Sequence, residues 1–331
     1  MKNFTLLFAA FLLFCSHDMF LKLDNFFLSP NTDVTLELYN GTFEKSENSI
    51  TRDRMIDVSL VGNGKRIQVD TTQWTDRDST ATLLNFKTGA AGTWVAGLST
   101  YARNIEMTGE AFNDYLEHDG VLDMIELRKK NNTLEEAAIE KYSKHVKAIF
   151  QVGEQQTDDW QTVLGYPIEF VPMSNPYAAK VGDNLAVKLL RAGQPLANQL
   201  IYAGVGGAAH EHSHEEGEEH DHHGITSLRT DANGVASLKL TESGNWYLRT
   251  IHLVETEEEG LTHESNWATL TFGVKGDHQH GAAGHQHADD GSHTHADGTT
   301  HSHSHGLPTA VYWVVGLLLA GGLFFYSRRK K

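Results

Sequence analysis

Short runs of alternating apolar and polar residues dominate the first hundred positions. Val34-Thr35-Leu36-Glu37-Leu38-Tyr39 and Asp57-Val58-Ser59-Leu60-Val61 carry the period-two pattern of half-buried strands, Gly62-Asn63-Gly64 supplies a turn, and Gly92 to Leu98 reads as another strand. The period then lengthens. From Thr108 to Ile149, Phe112, Tyr115 and Leu116 fall on one helical face and Leu134, Ala138, Tyr142 and Val146 on another, with breaks at Gly120 and Asn131-Asn132, so two or three helices are expected. Strand patterning returns at Leu164 and continues to Val274 through Leu185 to Leu190, Gln199 to Ala203, Ala236 to Leu240 and Trp246 to Ile251, punctuated by Val181-Gly182-Asp183 and the Thr230-Asp231-Ala232-Asn233-Gly234 turn. This pattern predicts a mainly β chain of two β-sandwich domains, residues 17–163 with a helical insertion over 108–149, and residues 164–275.

Both ends depart from it. Met1-Lys2-Asn3 followed by the apolar run Phe4 to Phe14 has the charged start and short core of a secretory signal, so residues 1–16 are expected to direct export and be removed. Cys15, the one cysteine, lies at the end of that core; Phe14 is a poor fit to a lipobox, which favours removal over lipidation. The mature chain then has no thiolate and no internal disulfide. Residues 309–326 are apolar and near the lower length limit for a spanning helix, and the basic tail 327–331, Ser327-Arg328-Arg329-Lys330-Lys331, assigns the C-terminus to the cytoplasm and the bulk of the chain to the periplasmic or extracytoplasmic side. Leu307-Pro308-Thr309-Ala310 is similar to a sorting signal but lacks the glycine of the full pattern, and a glycolipid anchor is disfavoured by the basic cluster.

Fifteen of the 20 histidines stand in two tracts. The first, His210, His212, His214, His220, His222 and His223, interrupts the second β segment and is expected to form an exposed loop over 208–224. The second, His278, His280, His285, His287, His293, His295, His301, His303 and His305, lies in a stretch, 276–308, with almost no large apolar residue, expected to be a disordered tether. In His-x-His spacing both rings leave an extended chain on the same side, and several imidazoles can converge on one borderline ion, so divalent Ni, Co, Zn or Cu is the expected cofactor. Glu211, Glu215, Glu216, Glu218, Glu219 and Asp221 add oxygen ligands and negative potential. The bland alternative is a polar, pH-sensitive spacer. A formal net charge of −16 excludes a nucleic-acid partner, which would demand a basic patch, and favours cations.

Several spaced blocks carry a family likeness: His17-Asp18-Met19-Phe20-Leu21-Lys22, Phe112-Asn113-Asp114-Tyr115-Leu116 with Gly120, Lys141-Tyr142-Ser143-Lys144 with Lys147 and Val152-Gly153, Leu164 to Pro172, Asn175-Pro176-Tyr177, Gly193 to Leu196, Thr230-Asp231 with Gly234, Gly244-Asn245-Trp246, and Asn266-Trp267. Over residues 17 to 274 the chain resembles the secreted bacterial domain-of-unknown-function family often labelled nickel or cobalt uptake transporter family proteins. Gly193 to Ile251 is also similar to the carboxypeptidase-regulatory or transthyretin-like sandwich, a module that usually binds or supports. The resemblance implies immunoglobulin-like or transthyretin-like sandwiches and a role near a membrane metal transporter. Neither histidine tract belongs to the shared blocks.

Outside the tracts His17 stands out. Cleavage after Ser16 would leave its amine and imidazole free to chelate one ion, with His252 or His263 as a second ligand, whereas the plainer reading makes His17 a strand cap and the other two packed strand residues. His118 and His145, placed on the helical segment with no ligand at i+4, read as structural. No catalytic residue is assigned: Gly204-Val205-Gly206-Gly207 lacks the lysine of a phosphate loop, and no Gly-x-Ser-x-Gly occurs. The sequence thus points to a non-enzymatic, membrane-tethered transition-metal capture or buffering protein. Two alternatives stand beside it, a structural or adhesive surface sandwich with histidine spacers, and a copper-site redox protein built on His17.

Overall fold

The computed structural model describes residues 17–206, 225–276, 292–294 and 300–302. In chain order the strands are β1 (Asp18–Lys22), β2 (Phe27–Leu28), β3 (Asp33–Gly41), β4 (Met55–Gly62), β5 (Lys65–Gln68), β6 (Trp74–Arg77), β7 (Ala81–Lys87), β8 (Gly92–Thr100) and β9 (Arg103–Met107). Two helices follow, α1 (Gly109–His118) and α2 (Leu122–Asn131). The rest are β10 (Ala138–Val152), β11 (Ile168–Pro172), β12 (Asn184–Arg191), β13 (Gln194–Pro195), β14 (Leu200–Val205), β15 (Thr226–Arg229), β16 (Val235–Lys239), β17 (Gly244–Glu255) and β18 (His263–Val274). The chain is mainly β, as its period-two patterning requires. A separate unit holds a short antiparallel hairpin, Ser292–Thr294 against Thr300–Ser302.

A sheet in the order β15-β14-β17-β18-β10-β8-β4-β5 runs through the middle, with β2 and β9 also paired to β10. Smaller sheets cover its faces. On one side β1-β3-β7-β6 packs Leu36, Leu38 and Leu84 against Leu60, Leu98 and Phe150 of the central sheet. On the other, β11-β12-β13 with β16 packs Phe170, Leu185 and Leu189 against Ile201, Leu248 and Leu270. Strands covered on both faces read as continuous apolar runs, and all nine residues of β8 are accordingly buried. The pairing of β10 with β18 is parallel, Lys144 opposite Trp267, and joins strands from the two expected domains in one sheet.

The helical expectation over 108–149 holds only in its first part. Thr108 caps α1 by accepting from the Ala111 N–H at 3.2 Å, and Asn132 ends α2 in the left-handed region at φ 57°. From Ala138 to Val152 the chain is strand, so His145 stands on β10 and not on a helix. The confusion has a physical source. Ala138, Tyr142 and Val146 are four apart, which is close to one helical turn but also two strand repeats, so the spacing puts them on one face either way. Pairing along both edges decided for strand.

One ion pair fastens the central sheet to its neighbour. Lys147 Nζ lies 2.7 Å from Glu169 Oε2 with both side chains 2% exposed, and it also donates to the Thr162 and Phe170 carbonyls. Glu169 accepts from the N–H groups of Leu164, Gly165 and Tyr166 at 2.8–3.2 Å. Every strong hydrogen-bonding site of the pair is occupied, which offsets the desolvation of two buried charges. Removing one partner strands the other. Lys147→Met should therefore destabilise the fold by about 3–5 kcal/mol, and the Lys147→Met/Glu169→Gln double variant should recover part of that loss. Urea denaturation of both variants checks it, and an undisturbed single variant would refute the assignment.

Candidate functional site

The histidine tracts divide between described and undescribed residues. His210, His212, His214, His220, His222 and His223 lie outside the described residues, as do His278, His280, His285, His287, His295, His303 and His305. The segment that carries the first tract leaves β14 and re-enters at β15, two neighbouring antiparallel strands in which Ala203 pairs with Thr226 and Leu200 with Arg229. It is therefore the loop of a hairpin whose second strand, β15, ends the order of the central sheet. His293 and His301 occupy paired positions of the short second hairpin. The expected signal (1–16), spanning segment (309–326) and basic tail also fall outside the described residues; among the described residues no helix is long and apolar enough to cross a membrane.

Each remaining histidine has its own contacts. His17 is half-buried with Nε2 3.3 Å from Glu47 Oε2. His252 sits on β17 with Nδ1 3.1 Å from Gln199 Oε1, and burial lowers its pKa. His263 packs its ring 4.7 Å from Phe112, with Nδ1 2.7 Å from Thr262 Oγ1 and Nε2 lacking a hydrogen-bond partner; burial brings its pKa down to about 4. The His17 carbonyl meets the Lys144 side chain, and His263, opposite Glu140 of β10, stands four residues before Trp267 on β18. His252 lies opposite Asn266, whose side chain alternates to the face away from Trp267. Among the described residues no group of three or more His, Cys, Asp or Glu side chains is placed to hold a metal ion. His118 contacts Asp119 Oδ1 at 2.9 Å, and His145, between Ser99 Oγ at 2.9 Å and Ser143 Oγ at 3.0 Å, has its pKa pushed down to about 4 by burial.

The structure instead draws attention to a cleft of about 200 Å³ beside His17, whose other lining residues the sequence analysis had not assigned to a site. Alternation along β10 directs Glu140, Tyr142 and Lys144 into it, and β18 adds Trp267 in register. Trp267 stacks on Tyr115 of α1, with centroids 6.1 Å apart at 7°. Lys144 Nζ lies 4.8 Å from the Trp267 ring centroid, donates to the His17 carbonyl, and reaches Asn40 Oδ1 at 3.5 Å. Arg54 covers the Tyr142 ring at 5.3 Å and donates from Nη1 to its hydroxyl at 3.3 Å. Met19, Ile50, Ile105 and Met107 complete an apolar wall.

Burial governs the ionisation of this group. Glu140 accepts from the Tyr115 hydroxyl at 3.3 Å and from Ser265, yet desolvation pushes its carboxyl up to about 7. Lys144 is brought down to about 8 by the same cause. Asp18, 3.4 Å from Arg249 Nε, is likewise raised by burial, with Arg249 opposing. The signal that could have revealed the cleft was Glu140-x-Tyr142-x-Lys144, polar residues at strand spacing, hidden by the helical reading.

Residues 15–254 match the model of the family described as Domain of unknown function (DUF4198). The chain belongs to the DUF4198 family. No curated protein matches it. Among solved structures, trypsin-activated alpha-2-macroglobulin from Escherichia coli matches at 10% identity and TM-score 0.19, over 79% of this chain and 16% of that one, so the chain spans about one-sixth of its length. The D0-D1 domain of Intimin matches at 13% identity and TM-score 0.17, covering 78% and 98%. FdeC, an Escherichia coli adhesin, matches at 12% identity and TM-score 0.18, covering 79% and 64%. These likenesses are too loose to assign a fold or a function to a DUF4198 chain.

The raised Glu140 carboxyl has a stability consequence with a defined sign. A folded pKa above the ordinary value means that stability is fully present below about 4.5 and is lost as pH rises through about 7. Glu140→Gln keeps an acceptor for Tyr115 and Ser265 without the charge. Relative to the parent it should gain about 2–3 kcal/mol between pH 5 and pH 8, read from urea unfolding at each pH. A difference independent of pH would show that Glu140 is not held protonated by the fold.

Proposed function

We propose that this DUF4198 chain captures or buffers divalent transition metal ions, nickel or cobalt foremost, on the outer side of a membrane and near an uptake system. The observation that carries the reading is the placement of the first tract: six histidines and six carboxylates fall in one hairpin loop whose two ends are clamped by the β14 and β15 pairing. Imidazoles this close in sequence give a second and third ligand a high effective concentration at an ion already held by the first. Imidazole suits Ni, Co, Zn and Cu ions alike, and the resemblance to nickel and cobalt uptake proteins supports the first two. The net charge of −16 supports attraction of cations generally. Export through residues 1–16 and tethering by 309–326 belong to the same proposal.

Binding needs neutral imidazole, so capture weakens as pH falls below about 6.5, where protons compete for the ligands. Calorimetric titration of the full chain with Ni²⁺, Co²⁺, Zn²⁺ and Cu²⁺ should show several equivalents of modest affinity at neutral pH. Deleting residues 210–223 together with 278–305 should remove most of them while the apoprotein melting temperature barely moves, since neither deletion removes a residue of β1–β18. Unchanged stoichiometry in that deletion would overturn the reading.

A further inference from the structure

We propose that the cleft between β1, β9, α1, β10 and β18 binds a small organic carboxylate with an apolar or aromatic body, at a site distinct from the histidine tracts. The charge lining it is the first reason. Arg54 and Lys144 border the cleft, and the carboxyl among its lining residues, Glu140, is occupied by donors of the protein itself, Tyr115 and Ser265. Of the neighbouring acids, Asp18 is engaged by Arg249 and Glu47 by His17. In a chain of net charge −16 a cleft presenting two cations is a local arrangement and not a consequence of composition.

The second reason is an unfinished hydrogen-bonding inventory. Arg54 is 8% exposed, and its Nε and Nη2 have no hydrogen-bond partner, while Nη1 is used by Tyr142. Nε and Nη2 form one edge of the planar guanidinium, the edge that receives a carboxylate in two parallel hydrogen bonds. Buried donors of a charged group are ordinarily satisfied, so two orphans on one side chain bordering a cleft call for an acceptor. In the structure that edge is covered from solvent, so presenting it to a ligand requires the guanidinium to move.

The walls define the rest of the ligand. Met19, Ile50, Ile105 and Met107 offer no polar partner to a second charged end, and the stacked Tyr115 and Trp267 rings give a flat border. At about 200 Å³ the space falls below the roughly 300–1,000 Å³ of drug-sized sites, which limits the occupant to a small acid. Thioethers adapt to differently shaped apolar bodies, so one class of acid and not a single compound is expected.

Benzoate and benzylamine are the probes, alike in shape and opposite in charge. Calorimetry on the full chain should show one equivalent of benzoate, with benzylamine at least about tenfold weaker. Arg54→Met and Lys144→Met should each weaken benzoate by about tenfold or more, and Arg54→Lys, which keeps the charge but not the fork, should fall between Arg54→Met and the parent. Circular dichroism and melting establish that the variants fold. If an Arg54 variant does not, Met107→Trp, which fills the cleft from its apolar wall without touching a charge, should abolish benzoate binding. Equal binding of benzylamine, benzoate binding insensitive to these substitutions, or no saturable benzoate binding would each overturn the proposal. Nickel stoichiometry in the same variants should match the parent, so failure here and failure of the metal reading are separate results.

Discussion

β10 is bonded along both edges, to β18 in parallel on one side and to β8 and β9 antiparallel on the other, and it is covered on both faces. Its last ten residues are buried, yet they include Ser143, Lys144, His145, Lys147 and Gln151. A strand in that position must satisfy each polar group locally, and each is satisfied differently. Lys147 is neutralised by Glu169 on one face; Gln151 donates to three backbone carbonyls; Lys144, on the opposite face, meets a carbonyl and the Trp267 ring. Alternation along one strand thereby separates a closed ion pair that locks two sheets from a more open set of charges around a cleft.

The same constraint explains why α1 and α2 sit where they do. Phe112, Leu116, Met124 and Ile125 pack on Ile251, Leu253 and Trp267, covering the part of β17 and β18 that the smaller sheets leave open. Tyr115 reaches Glu140 and stacks on Trp267 from that position. Helix packing and the cleft thus share Tyr115 and Trp267. Arg128 adds to it by donating to the Leu134 and Glu136 carbonyls, tying the segment before β10 back onto α2.

The metal reading and the cleft rest on different kinds of information. Histidine crowding is a property of composition, and hairpin closure by β14 and β15 adds a shared anchor without requiring any fixed geometry within the loop. The cleft depends on residues scattered from Met19 to Trp267, brought together by β1, β10 and β18. Little of it could have been read along the chain. His17 was singled out as a ligand beside His252 or His263; in the structure His17 meets Glu47, His252 meets Gln199 and His263 packs on Phe112.

By itself the sequence determined the mainly β character, because period-two burial is local, and it located β3, β4, β8, β12, β14, β16 and β17, the turn at Gly62-Asn63-Gly64 and the hairpin position of the first histidine tract. It also determined the charge and the supply of imidazoles. Tertiary structure alone decided that residues 138–152 are strand, since spacing by four satisfies both helix and strand and only the pairing edges of β18, β8 and β9 distinguish them. It decided, too, that Glu140 and Lys144 are titrated by burial and that Arg54 keeps two donors unmatched. Such properties belong to neighbours distant in sequence, and residue order does not specify those neighbours until the sheets close over them.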